Sequence, residues 1–148
     1  MLFNNRIYGL TKGQYSPTSE QGKVTYSTPM GSIDYPFKPT KLALGAEASF
    51  VAKTIDKELK HLQAMIKRAN SHKGTSFIEI YQNCNIFNDG AFSHLTDRDT
   101  KEEQLLRLED GEPMIFGAEK NKGIYLDGTS PKVVQIGKDY SIDDIVVH

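Results

Sequence analysis

Little in this sequence pulls in one direction. Charge nearly cancels, with 18 Lys and Arg against 19 Asp and Glu for a formal net charge of -1. The two signs are mixed along the chain, so no broad field draws nucleic acid or an anionic membrane. Tryptophan is absent and cysteine occurs once. A single thiol excludes an intrachain disulfide and fits a reducing compartment. No apolar run approaches the roughly 20 residues a membrane-spanning helix needs, and no basic-then-apolar leader with a small-residue cleavage site is present. Repeats and low-complexity tracts are missing as well. The expectation is a cytoplasmic protein with neither a nucleic-acid nor a membrane partner.

What is present suffices for a folded domain: 148 residues, 38% hydrophobic and 25% charged, can bury a core. Residues 1–14 read as a strand end and a loop, with Leu2-Phe3 giving way to Asn4-Asn5 and then to Gly9 and Gly13. Residues 15–40 carry Pro17, Gly22, Pro29, Gly31, Pro36 and Pro39 among Ser, Thr and Tyr, a turn-forming composition. A long irregular segment of this kind inside a domain is commonly functional or partner-contacting.

Regular structure follows. Pro39 to Ala46 fits a short helix opened by proline, and Ser49 to Ala52 a short strand. Ile55, Leu59, Leu62, Ile66 and Ala69 recur every three or four residues, which predicts a helix over 56–72 with those residues on its buried face. Asp56 is the expected cap, and His72, Lys73 and Gly74 the expected terminator. His61, on that helix, reads as a surface residue. Phe77 to Tyr81 reads as a mostly buried strand. Helix followed by strand, twice, implies an α/β fold on a parallel sheet. Beyond residue 95, glycines and prolines punctuate short apolar runs at 114–116, 123–126 and 132–136, so an appendage of short strands or hairpins is expected, with residues 145–148 inside a further element.

In an open parallel sheet, ligands bind beyond the carboxyl ends of the strands. Asn4 and Asn5 would stand there, and an amide oxygen plus a main-chain carbonyl two residues on suits Mg²⁺. Taken bare, Asn-Asn followed by glycines is also an ordinary turn. Cys84, in Gln82-Asn83-Cys84-Asn85 after the last strand, reads equally as a small buried hydrophobe; no histidine is arranged locally to activate it.

The stretch Asn5-Arg6-Ile7-Tyr8-Gly9-Leu10-Thr11-Lys12-Gly13-Gln14, followed by Ser16-Pro17-Thr18, resembles the second half of the thiamine diphosphate motif in the beta subunit of 2-oxoacid:ferredoxin oxidoreductases, and is most similar to the 2-oxoglutarate branch. The resemblance continues through Leu42 to Ala46, Ser49 to Ala52, His72 to Gly90 and Gly111 to Gly117. It implies a partial parallel-sheet thiamine diphosphate-binding fold, with residues 1–95 the C-terminal part of the cofactor domain and residues 96–148 a C-terminal extension. It also implies that Asn5 gives a side-chain oxygen and Ile7 a carbonyl to Mg²⁺, that Tyr8, Gly9, Leu10 and Thr11 lie along the cofactor, that Lys12 faces a substrate carboxylate, and that Cys84 is one thiolate of a [4Fe–4S] cluster.

The implied reaction is oxidative decarboxylation of 2-oxoglutarate to succinyl-CoA, with electrons leaving through the cluster to ferredoxin and an alpha-type subunit completing the site. The family's upstream Gly-Asp-Gly and Cys-x-x-Cys have no counterpart in these residues, so a fragment that is inactive alone is expected. Leu10 and Lys12 favour 2-oxoglutarate; pyruvate, a branched-chain oxoacid, or a non-catalytic phosphate-binding or interaction module of the same fold are the other readings.

Overall fold

Ser76-Phe77-Ile78-Glu79-Ile80-Tyr81 is flanked on both sides by other strands, which is why its last four residues are buried. The computed structural model describes residues 1–148 and falls into two units, Met1–Phe92 and Ser93–His148.

In the first unit β1 (Leu2–Asn4), α1 (Pro39–Gly45), β2 (Phe50–Ile55), α2 (Leu59–Ser71) and β3 (Ser76–Tyr81) follow one another. The sheet has the order β1-β3-β2 and both pairings are parallel, so the α/β parallel-sheet expectation holds. Tyr81 is in register with Asn4 on one side and Ile55 on the other. All three strands therefore end in one row, and the loops beginning at Asn5, Asp56 and Gln82 leave from the same edge.

Alternation along the strands divides the sheet into two faces. Ala52, Ile78 and Ile80 point to one side and bury against Met65, with Phe50, Leu62 and Ala69 around them. Glu79 points to the other side with Lys53, its register partner. Residues 15–38 contain neither helix nor strand, as their composition suggests, and Pro39 opens α1 from a first-turn position, where its missing N–H costs nothing.

The second helix departs from its expected course. It begins at Leu59 behind Glu58, because residues 55 and 56 are still occupied by the sheet. Ile55 ends β2, the Asp56 N–H donates to the Tyr81 carbonyl at 2.9 Å, and the Asp56 carboxylate accepts from the Asn83 N–H at 3.0 Å. Asp56 thus ties two strand ends together and does not cap the helix. Starting there, α2 presents Leu62, Met65 and Ala69 to the sheet, while Leu59 is 63% and Ile66 39% exposed. His61 is half-buried, with Nδ1 2.9 Å from the buried Thr54 hydroxyl, and so is not a surface residue. His72 is the C-terminal cap, and its Nε2 meets the Ser49 hydroxyl at 2.8 Å.

The second unit holds two one-turn helices that the sequence pattern does not announce, α3 (Ser93–Thr96) and α4 (Lys101–Gln104), then β4 (Ile115–Phe116), β5 (Lys122–Asp127) and β6 (Ser130–Gln135). The three strands form an antiparallel sheet in chain order. Asp127 pairs with Ser130, leaving a two-residue loop whose first position is Gly128 at φ +61°, a conformation that suits a tight hairpin. Residues 145–148 are not a strand. They run as a single-bridge tail, with Val147 opposite Pro113 and Ile145 buried against Gly123.

Candidate functional site

The site is built at the carboxyl edge of the first sheet, where β1 turns. Asn4 is buried and both ends of its amide are engaged: Nδ2 donates to Glu79 Oε1 at 2.7 Å, while Oδ1 accepts from the Arg6 N–H at 3.1 Å and from the Thr18 hydroxyl at 2.7 Å. The bond to Arg6 closes a turn in which Arg6 takes φ +53°, a left-handed conformation uncommon for a residue with a Cβ. Arg6 is also gripped from outside the turn. Its guanidinium donates to the Tyr81 hydroxyl at 2.9 Å and lies 4.8 Å from the Tyr81 ring centre and 5.3 Å from that of Phe92. Those two rings are stacked at 4.6 Å. The Arg6 carbonyl accepts from the Ser19 hydroxyl at 2.6 Å, which brings the irregular segment onto the turn.

Main-chain acceptors along this turn are taken up one after another. The Asn4 carbonyl receives the Gln82 N–H, the Asn5 carbonyl the Asn88 amide and the Arg6 carbonyl the Ser19 hydroxyl. The next oxygen in line, the carbonyl of buried Ile7, receives none, and the half-buried Asn5 amide has no partner inside the chain either. Two neutral oxygens two residues apart, on a backbone fixed from both sides, are a donor set that suits a hard cation such as Mg²⁺. The residues present fit the metal half of a thiamine site.

From Tyr8 the chain makes a closed loop. The Tyr8 N–H donates to the Gln14 carbonyl at 2.8 Å, the Gly13 N–H to the Tyr8 carbonyl at 2.9 Å and the Lys12 N–H to the Gly9 carbonyl at 3.0 Å. Leu10 stands at the tip, 99% exposed, and Thr11 and Lys12 are exposed beside it, Lys12 at φ +58°. An open cleft of about 610 Å³ runs alongside, lined by Asn4, Asn5, Ile7 and Tyr8 together with apolar side chains such as Phe37 and Phe77. The structure therefore gathers Asn5, Ile7 and Tyr8 on one cleft. Gly9, Leu10, Thr11 and Lys12 form the outer end of the loop.

Cys84 begins the loop after β3. Hydrogen bonding from the Phe87 backbone holds its thiol below the ordinary value against some desolvation, with smaller help from Ile86 and Asn88, while the Asp89 carboxylate opposes. Its side chain is half-buried. No group of three or more His, Cys, Asp or Glu converges anywhere in the structure to hold a metal, so Cys84 has no companion ligands within these residues.

Glu79, Lys53, Thr18, Ser19 and Asn88 hold the site, and the sequence reading assigns none of them a role. Glu79 carried a signal, since a lone carboxylate inside Phe-Ile-Glu-Ile-Tyr must find a partner if the strand is buried. The others are polar loop residues whose partners lie far along the chain.

Residues 1–80 match the family described as thiamine pyrophosphate enzyme, C-terminal TPP binding domain. The chain belongs to this thiamine pyrophosphate enzyme family. Within the thiamine pyrophosphate enzymes it is related over its whole length to the 2-oxoglutarate oxidoreductase subunit KorB of Mycobacterium tuberculosis, at 50% identity over 148 residues, which is 100% of this chain and 39% of that protein. It is 42% identical over 89 residues to the 2-oxoacid:ferredoxin oxidoreductase subunit beta of Saccharolobus solfataricus, 60% of this chain and 29% of that one.

Among solved structures, a 2-oxoglutarate:ferredoxin oxidoreductase from Magnetococcus marinus with 2-oxoglutarate, coenzyme A and succinyl-CoA bound matches with a TM-score of 0.60 and 28% identity, over 97% of this chain and 48% of that one. The chain spans less than half the length of each of these relatives. No helix is long and apolar enough to cross a membrane.

Proposed function

We propose that this chain is the portion of a 2-oxoacid:ferredoxin oxidoreductase beta subunit that grips the metal end of thiamine diphosphate, in an enzyme that converts 2-oxoglutarate, coenzyme A and oxidised ferredoxin to succinyl-CoA, carbon dioxide and reduced ferredoxin. The observation that carries it is the pair of unshared oxygens, the Asn5 amide and the Ile7 carbonyl, on a turn whose neighbouring carbonyls are all engaged. Both would hold Mg²⁺, and the loop Tyr8 to Thr11 would lie along the diphosphate. When bound, thiamine diphosphate supplies the electron sink that decarboxylation of a 2-oxoacid requires.

The remaining tasks fall to exposed groups. Lys12, at the loop's outer end, would pair with a substrate carboxylate, a charge-assisted contact that favours a dicarboxylic acid. Cys84, its thiol held below the ordinary value chiefly by the Phe87 backbone, would be one ligand of a [4Fe–4S] cluster whose other thiolates come from outside these residues. Residues 1–95 serve in this reading as the C-terminal part of the cofactor domain and residues 96–148 as its extension. Segment 15–40 would meet the alpha-type partner subunit; Val24, Tyr26, Met30, Ile33 and Tyr35 all point outward there, more apolar surface than water favours. Ferredoxin and coenzyme A are the remaining partners, neither nucleic acid nor membrane is involved, and the enzyme is cytoplasmic.

The test is anaerobic assay of the assembled enzyme for ferredoxin reduction. Activity that needs both 2-oxoglutarate and coenzyme A is the expected result. Reduction with pyruvate or a branched-chain oxoacid alone would move the substrate, and no reduction with any 2-oxoacid would leave a binding module of the same fold.

A further inference from the structure

One buried side chain hydrogen-bonds the Cys84 loop to the Asn5 turn. Asn88 is 6% exposed and works in three directions. Its backbone N–H donates to the Cys84 carbonyl at 3.0 Å and closes the thiol loop. Its Nδ2 donates to the Asn5 carbonyl at 2.8 Å, and its Oδ1 accepts from Lys23 Nζ at 2.6 Å, an ammonium that Glu20 holds in turn at 3.1 Å. Lysine can only donate, so the amide oxygen must face Lys23 and the NH₂ group must face Asn5. The neighbouring residue adds a second contact between the same two loops. A methyl group at Gly13, which has φ +95°, would press on the Phe87 ring, so the ring packs directly on that backbone. Adjacent residues of the thiol loop thus grip both ends of the segment from Asn5 to Gly13.

We infer that Asn88 is a positioning residue that clasps the Cys84 loop to the Asn5 turn, so that the thiolate and the metal-binding oxygens are held as one unit. The inference rests on the roles proposed above for Asn5, Ile7 and Cys84. Holding the Asn5 carbonyl fixes the plane of the Asn5–Arg6 peptide beside the Asn5 side chain, and with the Ser19 hydroxyl on the next carbonyl it restrains the backbone that leads to the Ile7 carbonyl. A change of strain at Cys84 then reaches the metal oxygens through the Asn88 amide, without passing through the core.

Asn88→Asp isolates the clasp. It keeps the shape and the Lys23 contact but replaces the donor by an oxygen that repels the Asn5 carbonyl. Amide hydrogen exchange on the assembled apoenzyme is expected to quicken about tenfold in the peptide bearing Asn5 to Gly13 as well as in the one bearing Cys84 to Asn88. Mg²⁺–thiamine diphosphate affinity is expected to fall about five- to tenfold, the scale of one lost neutral hydrogen bond. Asn88→Ala, which drops both side-chain contacts, should give the same two changes and serves if the aspartate variant does not assemble.

Faster exchange confined to the Cys84 peptide would overturn the clasp, since a purely local role predicts that and nothing more. Unchanged cofactor affinity in either Asn88 variant would overturn its positioning role when Asn5→Leu does lower that affinity. If Asn5→Leu leaves affinity unchanged as well, the metal reading of Asn5 fails, and the positioning role falls with it.

Discussion

Asn4 Nδ2 reaches Glu79 Oε1 across the parallel sheet at 2.7 Å, a diagonal pair, because Leu2 is the residue in register with Glu79. Glu79 is only 1% exposed. Its second oxygen lies 3.2 Å from Lys53 Nζ, a close ion pair outside hydrogen-bond geometry, and the same ammonium donates to the Tyr81 hydroxyl at 3.2 Å. A buried carboxylate therefore sets the amide that shapes the Asn5 turn.

The two partners of this pair are not equivalent, and that can be measured. Lys53→Met leaves the Glu79 charge buried without its counter-ion, which costs about 3 kcal/mol. Glu79→Gln preserves an acceptor for Asn4 and leaves Lys53, 42% exposed at its side chain, to water, at a cost of about 1 kcal/mol. Urea denaturation of the two variants should rank them in that order; the reverse ranking would mean that Glu79 does not depend on Lys53.

Asn5→Leu removes one of the two unshared oxygens at a half-buried position whose side chain makes no hydrogen bond within the chain and whose carbonyl, held by Asn88, is kept. Thermal stability should stay within about 0.5 kcal/mol, as for a substitution that breaks no internal contact. The Mg²⁺ requirement of the assembled enzyme should rise sharply. Unchanged thiamine dependence at limiting Mg²⁺ would remove Asn5 from the metal site.

Lys12→Met tests the substrate. A charge-assisted bond of roughly 1.5–3 kcal/mol implies a loss of about ten- to a hundredfold in kcat/KM on 2-oxoglutarate. A lysine on the distal carboxylate should leave pyruvate turnover nearly untouched, and one on the carboxylate beside the ketone should damage both. Equal rates for variant and parent on both substrates would place Lys12 in solvent.

The thiol of Cys84 carries the pH dependence. Its value is lowered, chiefly by the Phe87 backbone, so in the cluster-free protein alkylation by iodoacetamide should reach half its plateau rate at a lower pH than it does for the same protein unfolded in urea. The sign for stability follows: the thiolate's contribution is present above the unfolded value and is lost as pH falls through the lowered folded one. Cys84→Ser should abolish cluster absorbance in the assembled enzyme while leaving the parallel sheet intact by circular dichroism.

Local pattern carried much of the fold. Alternation in Phe77 to Tyr81, proline at position 39 and the glycine-punctuated runs after residue 111 each act within a few residues, so strands β2, β3, β5 and β6, helix α1 and the irregular segment are readable where they stand. Helix α2 shows the limit. Its apolar stripe runs back into residue 55, yet the sheet claims Ile55 and Asp56 through Tyr81 and Asn83, and the helix starts later and turns Met65 inward in place of Ile66.

By itself the sequence determined the order of strands and helices from β1 to β3, the parallel sheet, the loop Asn5 to Gln14 at a strand's carboxyl end and the position of the lone thiol beyond another, because hydrophobic period and turn chemistry are local and leave their mark residue by residue. Only the tertiary structure decided that the Asn4 amide is taken by Glu79 while the Asn5 amide stays unshared, and that Asn88 joins the two loops. Those bonds span 75 and 83 residues, and a polar side chain carries no sign of its partner until the sheet brings them within hydrogen-bonding distance.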